Sequence, residues 1–172
     1  MTVFYENSFN LNEWFVIISL IVSGFLIWKT PKLFSRLEMI AYFLFGVAYG
    51  MFYDHTISVK PWDFYDVNDN SSYQLIDFLS YVMYGGYSYF FLYLYKKLKI
   101  RGISHLLYVV IWSGFSLLME WITLKIGLFH FDKGYRMFWS FPIYVTAQTM
   151  LIIFYQIVNK KKMQEEINDV KT

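Results

Sequence analysis

The sequence has no cysteine, and only 16% of its 172 residues are charged. The first absence excludes a disulfide framework, a thiol nucleophile and a cysteine-ligated metal. The second is more informative, because soluble domains carry about a quarter charged residues. Excess charge of one sign is also missing. A net charge of +2, with the basic residues placed at helix ends, gives no footprint for nucleic acid. No GxSxG, Ser–Lys pair or glycine-rich phosphate loop occurs, so no catalytic residues are assigned. Residues Met1 to Trp14 lack a basic n-region and carry Glu6 and Glu13. No small-residue cleavage site follows the first apolar run, which predicts no removable signal peptide.

What is present is apolar and aromatic: 57% hydrophobic, 23% aromatic, with a mean hydropathy of +0.36. The 16 Tyr and 18 Phe fit the codon bias of an AT-rich genome, and belt residues at a bilayer interface add to them. Five segments reach the roughly 17–25 residues that a helix needs to cross a bilayer. They run from about Asn12 to Trp28, Leu37 to Tyr53, Phe78 to Tyr95, Ser104 to Ile126 and Phe138 to Val158. The third is diluted by Tyr81, Tyr84, Gly85, Gly86, Tyr87 and Tyr89. The expected fold is therefore all-α, a polytopic transmembrane bundle of five helices. One domain covers residues 1–158, and a charged tail covers 159–172, as a short solvated helix or a disordered end.

Loop charges orient the bundle. Lys29, Lys32 and Arg36 share one side with Lys96, Lys97, Lys99, Arg101 and the tail's Lys160 to Lys162. The opposite side holds Asp54, Asp63, Asp66, Asp69 and Asp77 against Lys60, although Lys125, Lys133 and Arg136 also fall there. This predicts an N-terminus outside and a C-terminus in the cytoplasm.

Polar residues recur at helical spacing. Ser113, Ser116, Glu120, Thr123 and Gly127 share one stripe, as do Gly46, Gly50 and Asp54, then Asp77, Tyr81, Tyr84 and Ser88, and Tyr144, Gln148 and Tyr155. Lipid would not tolerate these faces, so they are expected to line the interior. Glu120 lies about six residues below the outer end of its helix, or ~9 Å at 1.5 Å per residue. An outward-facing polar cavity follows as an expectation. Its candidate binding residues are Glu120, Asp54, Asp77, Tyr81 and Tyr84, with Lys125, Arg136 and His130 at the rim. Lys125 and Arg136 are the candidate charge partners of Glu120. The alternative is a buried structural carboxylate, and for Asp77 a favourable first-turn charge. The Gly46–Gly50 pair is a GxxxG pattern that permits close helix approach, within the chain or with a second copy.

His55, His130 and Asp132 with Asp54 and Glu120 supply ligand types for zinc or iron. No HxxxH, HExxH or ExxH spacing supports that reading, and His105 starts the fourth helix on the other side. No metal and no cofactor are expected. The segment from Lys60 to Asp66 reads as an interfacial anchor through Trp62, Phe64 and Tyr65, or as a lid over the cavity.

An aspartate closing the second helix (Asp54), a Tyr-rich third helix, and the arrangement Glu120…Lys125-x-Gly127…Gly134…Trp139-Ser140 carry a resemblance. From Pro31 onward the chain resembles small multipass membrane proteins that occur in several copies in spore-forming Firmicutes. That resemblance implies a bacterial cell membrane, with a sporulation or envelope setting, and brings no activity with it. In length and helix number the chain is also similar to the tryptophan-rich sensory protein family, whose members bind porphyrins and lipids. Lys60-Pro61-Trp62 departs from that family's Lys-Pro-x-Trp and follows the second helix, so only architecture compares.

Three functions stand. The first is binding of a small molecule, ion or lipid headgroup around Glu120. The second is a structural or assembly role, with polar stripes used for packing or partner docking. The third is intramembrane acid–base chemistry by Glu120 and Asp54. The expected partners are the lipid bilayer and such a ligand, with an oligomer through the Gly46/Gly50 face.

Overall fold

A computed structural model describes residues 9–67 and 75–169. Glu6, Asp69 and the last three residues of the tail lie outside the described residues. Five helices dominate: α1 (Leu11–Lys29), α2 (Arg36–Asp54), α3 (Leu75–Lys97), α4 (Ser104–Lys125) and α5 (Ser140–Asp169). Two short strands, β1 (Tyr65–Val67) and β2 (Phe129–Phe131), pair antiparallel with Asp66 opposite His130. The all-α expectation is thus corrected by one small sheet. A three-residue strand has too little alternation to stand out in a sequence.

Helix starts follow capping chemistry. Ser35 N–H donates to Glu38 Oε2 at 2.7 Å while Glu38 N–H donates to Ser35 Oγ at 3.3 Å, a reciprocal box that explains why Glu38 is tolerated in the interior. Asn10 and Glu13 do the same for α1. The fifth helix is continuous across Val158 and Asn159 as far as Asp169, so no structural boundary separates its core from the proposed tail.

β1 lies between α2 and α3, and β2 between α4 and α5, so their pairing puts those two connections at one end of the bundle. At the other end, Lys96 Nζ donates to Leu33 O at 2.7 Å and sits 4.7 Å from the centre of the Phe34 ring. The Lys- and Arg-bearing connections therefore meet there. Helix α3 is the centre, packing on α1, α2 and α5 and meeting α4 through the Phe91 ring contacts to Tyr108 and Trp112. At its heart, glycine sets the spacing. A Cβ on Gly46 would stand 2.5 Å from the Tyr84 carbonyl oxygen and 2.6 Å from Ser88 Cβ, and one on Gly50 would enter the Tyr84 ring. The Gly46/Gly50 face is occupied by α3 of the same chain.

Polarity is inverted relative to a soluble bundle. On α4, Leu107, Ile111, Leu118 and Trp121 are exposed while Ser113, Glu120 and Thr123 are buried. On α1, Ile21, Phe25 and Trp28 are exposed. Three helical stretches, Leu11–Lys29, Ser104–Lys125 and Met137–Lys160, are long and apolar enough to cross a membrane. A buried aromatic core of Phe34, Tyr42, Tyr89, Phe91 and Tyr95 fills the half toward the Lys-rich end. The other half holds a cavity.

Candidate functional site

The cavity has a volume of about 230 Å³ and is lined by α2, α3, α4 and α5, with Phe15 from α1 and the sheet at one end. Phe91 and Leu151 form the floor, and Tyr65, Phe129 and Phe131 contribute from the strands. About half of its lining residues are aromatic. Among the described residues two carboxyl side chains, Asp54 from α2 and Glu120 from α4, enter it, and no Lys, Arg or His lines it.

Each carboxylate is half satisfied in the same way. The Tyr65 hydroxyl donates to Asp54 Oδ1 at 2.7 Å, and the Ser140 hydroxyl donates to Glu120 Oε1 at 2.6 Å. Asp54 Oδ2 and Glu120 Oε2 are buried without a well-formed hydrogen bond. Tyr81 neighbours the first carboxyl and Tyr144 the second. Ser140 has one proton, already given to Glu120, so the Tyr135 hydroxyl 3.0 Å away is the donor to Ser140. Tyr135 and Tyr65 lie in the outer connections, and burial pushes both phenols above their ordinary value. Both therefore remain hydrogen-bond donors throughout the neutral range.

Tyr84 joins the two acids. Its side chain lines the cavity and lies within electrostatic reach of both Asp54 and Glu120. Deeper in, Ser113 Oγ donates to Gln148 Oε1 at 2.9 Å, and Gln148 Nε2 donates to Ser116 Oγ at 3.3 Å. That polar bridge ties α4 to α5 beside the cavity.

The candidates from the sequence divide accordingly. Glu120, Asp54 and Tyr84 meet at the cavity. Tyr81 and Asp77 are buried behind Asp54, with Asp77 in the first turn of α3. Lys125, expected as a charge partner of Glu120, is exposed and turns to the Trp121 ring, 6.0 Å from its centre. Arg136 is exposed just before the 3₁₀ turn Met137–Trp139 and forms no ion pair. Among the described residues the one ion pair is Lys133–Asp63 at 2.9 Å, on the surface. A helix displays a long lysine at its last turn most easily outward, where the stem covers apolar surface and the ammonium reaches water. His130 sits in β2 opposite Asp66, and His55 is exposed with Nδ1 2.8 Å from Met51 O. Among the described residues no three His, Asp or Glu side chains cluster as metal ligands would.

Sequence reasoning missed Tyr65, Tyr135 and Ser140 as site residues. In the Lys60–Asp66 segment Trp62 is exposed, while Tyr65 is buried over Asp54. Comparison with family models, with characterised proteins and with solved structures found no match.

Proposed function

We propose that this is a multipass cell-membrane protein whose five helices all cross the bilayer, with the N-terminus outside. It binds a small ligand in the cavity between Asp54 and Glu120. The single observation that carries this reading is the pair of buried acids in one cavity, Asp54 and Glu120, whose Oδ2 and Oε2 atoms lack a well-formed hydrogen bond. Leaving a buried polar oxygen unsatisfied costs about 1–3 kcal/mol, and more for a charge, which a bound group offsets. The five-helix span is supported by the shielding of α3. Its Tyr, Ser and Gly residues face other helices, so it needs less apolar surface than a lipid-facing helix. The positions of Lys29, Lys96, Lys97 and Arg101 at the end opposite the sheet support the orientation.

Glu120→Gln keeps the side-chain shape and the acceptor for Ser140. The expected result is normal accumulation of folded protein and loss of a small molecule that co-purifies from native membranes, read by mass spectrometry. A variant that fails to accumulate favours the second reading, in which Glu120 fastens α4 to α5 through Ser140.

A further inference from the structure

We infer that the ligand of this cavity carries an ammonium group on an apolar body. The inference rests on the binding role proposed above and narrows it from any small molecule, ion or headgroup to one class.

Charge decides the sign. Among the described residues two carboxyl groups face the cavity, and no basic side chain lines it to balance them. Glu120 is only 5% exposed, and its Oε2 lacks a well-formed hydrogen bond. An anion such as a phosphate would meet two acids and no donor charge, an arrangement that repels it strongly at low dielectric. A cation meets complementary charge at both acids. Tyr84 and both acids line the same cavity, which makes one binding site of them.

Size and wall chemistry then separate an organic cation from a metal ion. Calcium takes six to eight oxygen ligands at about 2.3–2.6 Å, and magnesium six at about 2.0–2.1 Å. The cavity instead presents two acids inside a wall of Tyr53, Tyr84, Tyr144, Trp112 and Phe115. At about 230 Å³ it has room for several waters' worth of matter, at roughly 30 Å³ each. Aromatic faces attract ammonium groups within about 6 Å of the ring centre, and desolvation strengthens the effect. Met83, Tyr87 and Met119 also line a second, apolar groove that opens between α1 and α3. An apolar body can lie against those adaptable side chains while the ammonium sits between the acids.

The same ammonium could reach the site on a soluble amine or on an amphiphile from the bilayer, so both sources are tested. Purified protein in detergent is titrated with phenethylamine, dodecyltrimethylammonium, phenethyl alcohol and phenylacetate, reading saturable binding above the micelle background. At least one ammonium probe is expected to bind about tenfold or more tightly than the alcohol or the carboxylate. Asp54→Asn should remove that preference, because a hydrogen-bonded charge is worth about a factor of ten. Ala147→Leu, which adds bulk to the cavity wall and keeps both acids, should weaken every probe. Tighter binding of phenethylamine identifies a soluble amine as the source, and tighter binding of the surfactant an amphiphile. If the alcohol or phenylacetate binds as well as the ammonium probes, the cation class is overturned while the binding cavity stands. If none binds saturably, the cavity reading falls and the cation class with it.

Discussion

The Tyr65 hydroxyl donates to Asp54 Oδ1 at 2.7 Å, so a side chain on β1 closes over the last residue of α2. Glu120 is held in a parallel way, through Ser140, by Tyr135. Each acid of the cavity is therefore tied to the sheet-end connections rather than to a base. Removing the phenol hydroxyl in Tyr65→Phe leaves Asp54 with a second buried oxygen short of a donor. The expected loss is about 1–3 kcal/mol, read as a lower unfolding midpoint in detergent.

The same phenols give a signed pH dependence. Burial raises the Tyr65 and Tyr135 pKa values in the folded state, so the unfolded chain ionises first, at about pH 10. Their contribution is complete below that pH. It declines as pH climbs above it, because the unfolded state then binds fewer protons than the native state. Unfolding midpoints measured from pH 8 to 11 should fall above pH 10. The fall should be shallower in Tyr65→Phe and shallower still with Tyr135→Phe added.

Glycine positions on α1 and α2 should behave oppositely. Gly46→Ala drives a methyl against the Tyr84 carbonyl and Ser88, forcing α2 and α3 apart. Overpacking of that kind costs about 1–3 kcal/mol. Gly24→Ala meets nothing within 4 Å and gains helix propensity, up to about 1 kcal/mol. Side-by-side thermal unfolding of the two variants reads the difference in sign.

Much of this was legible in the sequence. The helix bounds follow the apolar runs within a few residues at most ends, because a bilayer-length apolar run has few alternative structures. The inward direction of Ser113, Glu120 and Thr123 follows from spacing alone, since 3.6 residues per turn fixes which side chains share a face. The central place of α3 was not legible. Tyr81, Tyr84, Gly85 and Gly86 lower its hydropathy because they face helices, and a sequence window does not distinguish a helix-facing tyrosine from a weak span. The partners of the acids were also hidden. Lys125 and Arg136 are close to Glu120 along the chain, but Ser140 reaches it because the 3₁₀ turn at Met137–Trp139 folds the start of α5 back onto α4. No periodicity records such a turn.

The absence of cysteine makes orientation directly measurable. Val59 is exposed on the sheet side, and Arg101 is exposed at the Lys-rich end. In intact cells a membrane-impermeant thiol reagent should label Val59→Cys and leave Arg101→Cys unlabelled until the membrane is opened. The reverse pattern would invert the proposed topology.

The Tyr135–Ser140–Glu120 chain ranks its own members. Ser140→Ala removes the donor to Glu120 Oε1, so neither oxygen of a buried carboxyl keeps a well-formed hydrogen bond. Tyr135→Phe removes only the outer bond, and Ser140 keeps its proton on Glu120. The first should cost about 1–3 kcal/mol and the second about 0.5–1.5 kcal/mol, since a net hydrogen bond is worth less than an orphaned acceptor. In the double variant the cost should match that of Ser140→Ala within about 0.5 kcal/mol, because the Tyr135 hydroxyl has already lost its partner. Denaturant midpoints of the two singles and the double decide this. Additive costs would mean that Tyr135 stabilises the fold by some route other than Ser140.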